Sequence, residues 1–331
     1  MERFALAAAV VLGFALTAAL CSLFVPLRRV LERREQNQQP VQPEQPRPVP
    51  LRAPLWGGLC AAASTVAAVG VGWLAACVGQ PELLGSEGRL MTRLLTALAG
   101  SLAFGAVGLA EDLARMRSPA ALGLRRDVRL LLEALAAAFV LLLLQAAGCL
   151  PRGLDVPGAG YVLLGSAVPF LWAVLMVALA ECARIAERDE GTVCGAAFVA
   201  MLALMMAEAG LGVPGLAVLP AALAGALVAL LLWAFPPARL GVGCCGSLLA
   251  AGAIGCIPLS LDMTSLTVPL ALPFWAAGGL LAAQLLGAKR TGKPLRCWVK
   301  KHKMSPETVF LCSFALSAVG YVLALALLRW C

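Results

Sequence analysis

The chain has 331 residues, 61% of them hydrophobic and only 13% charged, with a formal net charge of +8. Soluble domains carry about 25% charged residues, whereas several apolar runs here reach the roughly 20 residues that cross a bilayer. A water-soluble globular fold is therefore excluded, and the expected class is an all-α, polytopic integral membrane protein with residues 1–331 forming a single transmembrane domain.

Ten membrane-spanning helices are predicted, over about 4–26, 53–79, 93–110, 130–149, 160–181, 192–209, 215–235, 244–261, 267–287 and 308–330. The first run is long, has only Arg3 as a basic residue ahead of it and lacks a small-residue cleavage site, so it reads as a retained span. The Pro- and Gln-rich stretch QNQQPVQPEQPRPVP (36–50) reads as a flexible cytoplasmic loop. With both termini outside, 21 of the 26 Lys and Arg residues fall in the alternate loops of the inner side and 5 on the outer side. That bias orients the chain with its longer, more polar loops in the cytoplasm. Inner-loop arginines serve topology and contact with anionic lipid before they serve any substrate.

Few charges lie within the spans: Glu133 and Glu208 sit near helix ends. Ion and proton paths are marked by intramembrane ionisable residues, so a channel or transporter is disfavoured, and no repeat of fixed period suggests inverted halves. Abundant Gly and Ala in the spans point to close helix packing. Of the twelve cysteines, Cys21, Cys60, Cys77, Cys256 and Cys312 lie in apolar runs, where Cys acts as a small hydrophobe. There is no C-x-x-C pair and His302 is the single histidine, which disfavours a zinc site.

The third predicted span ends in GAVGLAEDLARMR (105–117), two adjacent acids followed by arginines. Taken alone, Glu111 and Asp112 are either the wet end of a helix, with Arg115 as an i+3/i+4 partner, or carboxylates able to hold a divalent metal. The longer stretch GLAEDLARMRSPAALGLRRDVRLLLE (108–133) resembles a signature of the polyprenyl-phosphate N-acetylhexosamine-1-phosphate transferases, glycosyl transferase family 4, most like the phospho-N-acetylmuramoyl-pentapeptide transferase type. That signature reads G-x-x-D-D-x-x-K, a basic turn, G-L and K-L-L-x-Q. Gly108, Glu111, Asp112, Arg115, Gly123, Leu124, Arg129 and Glu133 stand at the matching positions.

The resemblance continues through four more loops. APLWGG (53–58) keeps Pro54, Gly57 and Gly58 of a T-P-T-M-G-G motif. ECARIAERDEG (181–191) places Glu181 and Arg184 at two Asn positions of N-x-x-N-x-x-D-G-x-D-G, Glu187 and Arg188 at the first Asp-Gly, and Glu190 and Gly191 at the second. GCCGSL (243–248) keeps Gly243, Gly246, Ser247 and Leu248 of G-D-x-G-S-L but has Cys244 for the Asp. TGKPLRCWVKKHKMSPE (291–307) keeps a Thr-Gly-Lys lead-in and offers His302 in place of a histidine cluster. Ten spans with outside termini match the family's architecture.

Family members transfer a phospho-sugar from a uridine diphosphate donor to a polyprenyl phosphate, releasing UMP, in cell-envelope glycan synthesis. The resemblance implies a bacterial plasma membrane location with the site facing the cytoplasm. It implies polyprenyl phosphate and a UDP-sugar as partners, a homodimer, no nucleic acid, and Mg²⁺ as cofactor if the chain is active. It implies Glu111, Asp112, Glu187 and Glu190 as catalytic residues, Asp112 and Glu111 as metal ligands, and Arg115, Arg184, Lys293, His302, Gly246 and Ser247 as substrate contacts. Cys244 is the severe departure, because a soft, mostly neutral thiol is a poor ligand for a hard ion. Two readings follow: an active transferase whose site is rebuilt with Glu187, Asp189 or Glu190, or a divergent member that keeps the fold without the standard chemistry. A non-catalytic lipid-phosphate-binding or scaffold protein is a further form of the second.

Overall fold

The computed structural model describes residues 2–38, 56–79, 88–117, 123–151, 153–156, 160–163, 165, 167–187, 191–213, 215–236, 238–286 and 305–328. Ten helices of 15 residues or more carry the fold of these residues. In chain order they are α1 (Glu2–Gln38), α2 (Gly57–Gly79), α3 (Gly88–Arg117), α4 (Arg126–Ala146), α5 (Ala167–Ala186), α6 (Thr192–Gly210), α7 (Val218–Ala234), α8 (Gly243–Ser260), α9 (Leu272–Leu286) and α10 (Pro306–Leu328). Seven of them, α1, α2, α3, α5, α6, α8 and α10, are long and apolar enough to cross a membrane by length and composition. The protein is thus an all-α, multi-pass membrane protein.

Ala and Leu dominate these segments, which favours helix, and in lipid a helix alone satisfies its own backbone within one segment. Helices α2, α7 and α8 carry no charged residue, so their depth in the bundle is set by packing. Helix α8 lies at the centre, packed against α2, α3, α5 and α6, and every one of its residues is buried. Elsewhere glycine brings backbones together: a Cβ on Gly13 of α1 would strike the Ala222 carbonyl of α7, and one on Gly225 would strike that of Val10. A hydroxyl–hydroxyl hydrogen bond joins Thr17 of α1 to Ser64 of α2.

Three boundaries differ from expectation. The span predicted from 160 begins only at Ala167, because residues before it form a hairpin. Strands β1 (Gly153–Val156) and β2 (Gly160–Leu163) pair antiparallel, with Leu154 opposite Val162 and Asp155 opposite Tyr161. The sequence between and around them, Val-Pro-Gly-Ala-Gly-Tyr-Val, joins turn formers to β-favouring residues. The span predicted over 267–287 is broken: a 3₁₀ turn (Thr264–Leu266) and one turn of helix (Thr267–Leu270) precede α9. Pro273 lacks the N–H that would continue the first turn into α9, so the chain restarts there, as Pro at a helix start allows. Finally, α1 runs on to Gln38, past the start of the Pro/Gln-rich stretch, whose residues 39–50 lie outside the described ones.

Candidate functional site

The C-terminal ends of α3 and α5 and the N-terminal ends of α4 and α8 meet at one end of the bundle, and the charged residues of the motif loops meet with them. The N-terminus of α8 is the pivot. A helix start leaves its first N–H groups without intrahelical partners. Here Val242 stands at the N-cap, where it makes no side-chain cap, and the first turn holds no acid. Asp112 of α3 fills the role from across the bundle: Oδ1 accepts the N–H of Cys244 at 3.0 Å and Oδ2 accepts that of Cys245 at 2.9 Å. Its charge faces the positive end of the helix dipole, and the residue is 1% exposed.

Two glycines make this approach possible. Gly108, one turn before Asp112, lies so close to Cys244 that a Cβ would overlap the Cys244 carbonyl group. On the other side Gly58 of α2 lies against Gly246, where a Cβ would come within 2.8 Å of the Cys245 carbonyl carbon. Its N–H donates to the Val242 carbonyl at 2.9 Å. Gly243, at φ 73°, supplies the left-handed turn that opens α8.

From Asp112 a chain of ion pairs crosses three helices. Arg115 donates through Nη2 to Glu111 Oε1 at 2.6 Å, and its Nη1 lies 3.9 Å from Asp112 Oδ1. Arg129 of α4 lies 3.7 Å (Nη1) from the same Glu111 oxygen and donates through Nε to Glu181 Oε1 of α5 at 2.7 Å. Arg184 donates to the other oxygen of Glu181. Glu133 Oε1 lies 3.9 Å from Arg129 Nε. Glu111, 2% exposed, lies between Arg115 and Arg129, while Glu133, 0% exposed, has neither oxygen hydrogen-bonded; a buried carboxylate is costly unless it is paired.

Of the residues singled out from the sequence, Glu111, Asp112, Arg115, Arg184, Glu187, Gly246 and Ser247 are brought to this junction. Glu187, half-buried in the turn after α5, lies within electrostatic reach of Asp112, Arg115 and Cys244. Arg184 stands in the same relation to Glu111 and Cys244. Ser247 is fully buried and donates to the Cys244 carbonyl at 3.1 Å, so it is engaged inside α8. Glu190, Lys293 and His302 lie outside the described residues, as does Asp189. Sequence reasoning does not single out Arg129, Glu133 and Glu181 as site residues. Their signal is the opposite-charge spacing of Arg129 with Glu133 (i, i+4) and of Glu181 with Arg184 (i, i+3).

Magnesium requires near-octahedral oxygen ligands, usually one or two carboxylates with phosphates and water. At this junction Asp112 has both oxygens on backbone N–H groups, Glu111 Oε1 is held by Arg115, and the fully buried Cys244 offers only sulfur. Among the described residues no group of three or more His, Cys, Asp or Glu side chains is placed to hold an ion. The described residues of this junction therefore do not by themselves make up a magnesium ligand set. What the arrangement does is fix four helix ends, while Arg115, with its side chain 21% exposed, is the guanidinium at the rim.

Residues 94–262 match the sequence profile of glycosyl transferase family 4. A phospho-N-acetylmuramoyl-pentapeptide-transferase from Synechococcus sp. (strain RCC307) is 30% identical over 212 residues, 63% of this chain and 55% of that protein. One from Desulforudis audaxviator (strain MP104C) is 32% identical over 170 residues, 48% of this chain and 50% of that protein. The chain thus spans about half the length of these two relatives. One from Geobacillus kaustophilus (strain HTA426) is 25% identical over 296 residues, covering 88% of this chain and 86% of the relative.

Proposed function

The chain belongs to glycosyl transferase family 4, and from that premise we propose that it is a divergent member: it retains the membrane fold and a phosphate-binding rim, but does not carry out magnesium-dependent transfer of a phospho-sugar to a polyprenyl phosphate. The whole chain would act as one transmembrane domain in a bacterial plasma membrane, with the α3–α8 junction facing the cytoplasm, as the arginine and lysine bias supports. Its ligand would be the phosphate head of a polyprenyl carrier or the diphosphate of a nucleotide sugar, met by Arg115 at the rim.

One observation carries this reading. Asp112 spends both oxygens on the start of α8, and the side chain at the position of the family's other acid is the buried thiol of Cys244. Joining two polyanions demands charge stabilisation in the transition state, and removing one group that supplies it commonly costs about 10²–10³ in rate.

The test is UMP release by the purified full chain from UDP-N-acetylmuramoyl-pentapeptide or UDP-N-acetylglucosamine, with undecaprenyl phosphate and Mg²⁺. The expected result is none above background, for the native chain and for Cys244→Asp alike, because the new carboxylate would still face an engaged Asp112. Glu187 favours the rival reading of a rebuilt active site, since it lies within electrostatic reach of both Asp112 and Cys244. Robust UMP release lost in Glu187→Gln would establish that rival.

A further inference from the structure

Helices α1 and α2 run antiparallel and meet along a seam of small side chains. A Cβ on Gly72 would come 3.0 Å from the Ala9 Cβ. Further along, Thr17 is hydrogen-bonded to Ser64. At the far end the rings of Phe24 and Trp56 stack, with centroids 5.8 Å apart and planes 4° from parallel. Each step forward on α1 is thus matched by an equal step back on α2. One turn beyond the Thr17–Ser64 pair, that register sets Cys21 of α1 opposite Cys60 of α2. The two thiols lie within hydrogen-bonding reach of each other. Both are free, and both are buried, at 0% and 2% exposure.

A small side chain is all that this seam requires, and Ala, Gly, Ser and Thr fill its neighbouring positions. Two cysteines that face one another add a chemistry those residues lack. A disulfide needs Cα atoms within about 7 Å and Cβ atoms that point toward each other, and closely packed helices in this register provide both. The pair lies one layer below the surface, since the next residues of α1, Ser22 and Leu23, are exposed. It also stands at the base of the long connection between α1 and α2, which contains the Pro/Gln-rich stretch 36–50.

We propose that Cys21 and Cys60 are a peroxide-oxidisable pair, whose disulfide clamps α1 to α2 at the base of the loop that joins them. One sulfur attacks hydrogen peroxide, forming a sulfenic acid and releasing water; the other sulfur displaces the sulfenic oxygen as a second water and closes the S–S bond. The two thiols give up two electrons, the peroxide accepts them, and the two thiol protons leave in the two waters. Hydrogen peroxide is small and neutral, so it can cross the thin cover over the pair. Thiol reductants return the pair to the dithiol by exchange, which is its resting form on the cytoplasmic side.

The experiment treats the purified full chain, in detergent and free of reductant, with hydrogen peroxide. Remaining thiols are alkylated, the chain is digested, and the peptides are read by mass spectrometry. A Cys21–Cys60 linked peptide is expected, lost on treatment with dithiothreitol and absent from Cys21→Ser. The oxidised native chain is also expected to unfold a few degrees above the reduced one, because the cross-link restrains the unfolded chain, while peroxide gives Cys21→Ser no such gain. If Cys21→Ser does not accumulate, Cys60→Ala carries the same comparison. Cys194 and Cys245 stand within electrostatic reach of Cys21 and Cys60, respectively, and are the rival partners. Linkage of Cys60 to either of them would overturn the proposal. So would recovery of Cys21 and Cys60 as alkylated thiols or as sulfinic acids after peroxide, or a Cys21–Cys60 disulfide that leaves the unfolding midpoint unchanged.

Discussion

Asp112→Asn tests how the junction of α3 and α8 is held. The carboxylate accepts two backbone N–H groups, at 3.0 and 2.9 Å, from a position 1% exposed. An asparagine can turn its single oxygen to only one of them. Its NH₂ then faces the other N–H, donor against donor, and a buried N–H left without a partner costs about 1–3 kcal/mol. Losing the anion at a buried helix start costs about 0.3–2 kcal/mol more. Two effects offset this: a neutral amide is easier to bury than a charge, and hydrogen bonds between membrane helices average only about 0.6 kcal/mol because the unfolded chain in lipid also finds partners. The balance is a loss of about 2 kcal/mol, and about 3–4 kcal/mol for Asp112→Ala, which removes both acceptors and leaves a void. The assay is thermal unfolding in detergent followed with a thiol-reactive dye, since Cys244 and Cys245 are buried until the junction opens. Both variants should unfold several degrees below the native chain. A carboxylate poised for a metal and held without one would behave oppositely, so an Asp112→Asn variant as stable as the native chain, or more so, would refute the capping role.

Two further outcomes follow from packing and charge. Gly108→Ala drives a Cβ into the Cys244 carbonyl and should destabilise by about 1–3 kcal/mol, whereas Gly70→Ala in α2 meets open space and should stabilise by about 0.5–1 kcal/mol; equal midpoints for the two would contradict the close approach of α3 to α8. A single labelling cysteine placed in 262–268 of a cysteine-free chain should react with an impermeant reagent added outside, while one placed in 36–50 should not; the reverse pattern would invert the orientation.

Much of the architecture is legible in the sequence because long apolar runs leave the chain little choice but helix, and the loops between them keep recognisable spacing. The hairpin at 153–163 escapes such a reading because its short strands adjoin an apolar run that periodicity alone cannot divide. The break before α9 is written in Pro273 but hidden inside a continuous hydrophobic stretch. At the junction, the sequence marks Asp112 as important without showing what it holds. Its partners are backbone N–H groups 132 and 133 residues away, and a backbone donor has no residue type to read. Arg129 and Glu181, 52 residues apart, stand at motif positions in the sequence, but only the crossing of α4 and α5 makes them a pair.

The burial of α8 on every side sets the order in which the chain can be completed. Helices α2, α3, α5 and α6 all precede it and enter the bilayer first, with the faces that will receive α8 still turned to lipid. Until α8 arrives, Gly58 and Gly108 border an unfilled slot and Asp112 has no helix start to cap. A chain halted after α7 would therefore display a stranded carboxylate in an open groove.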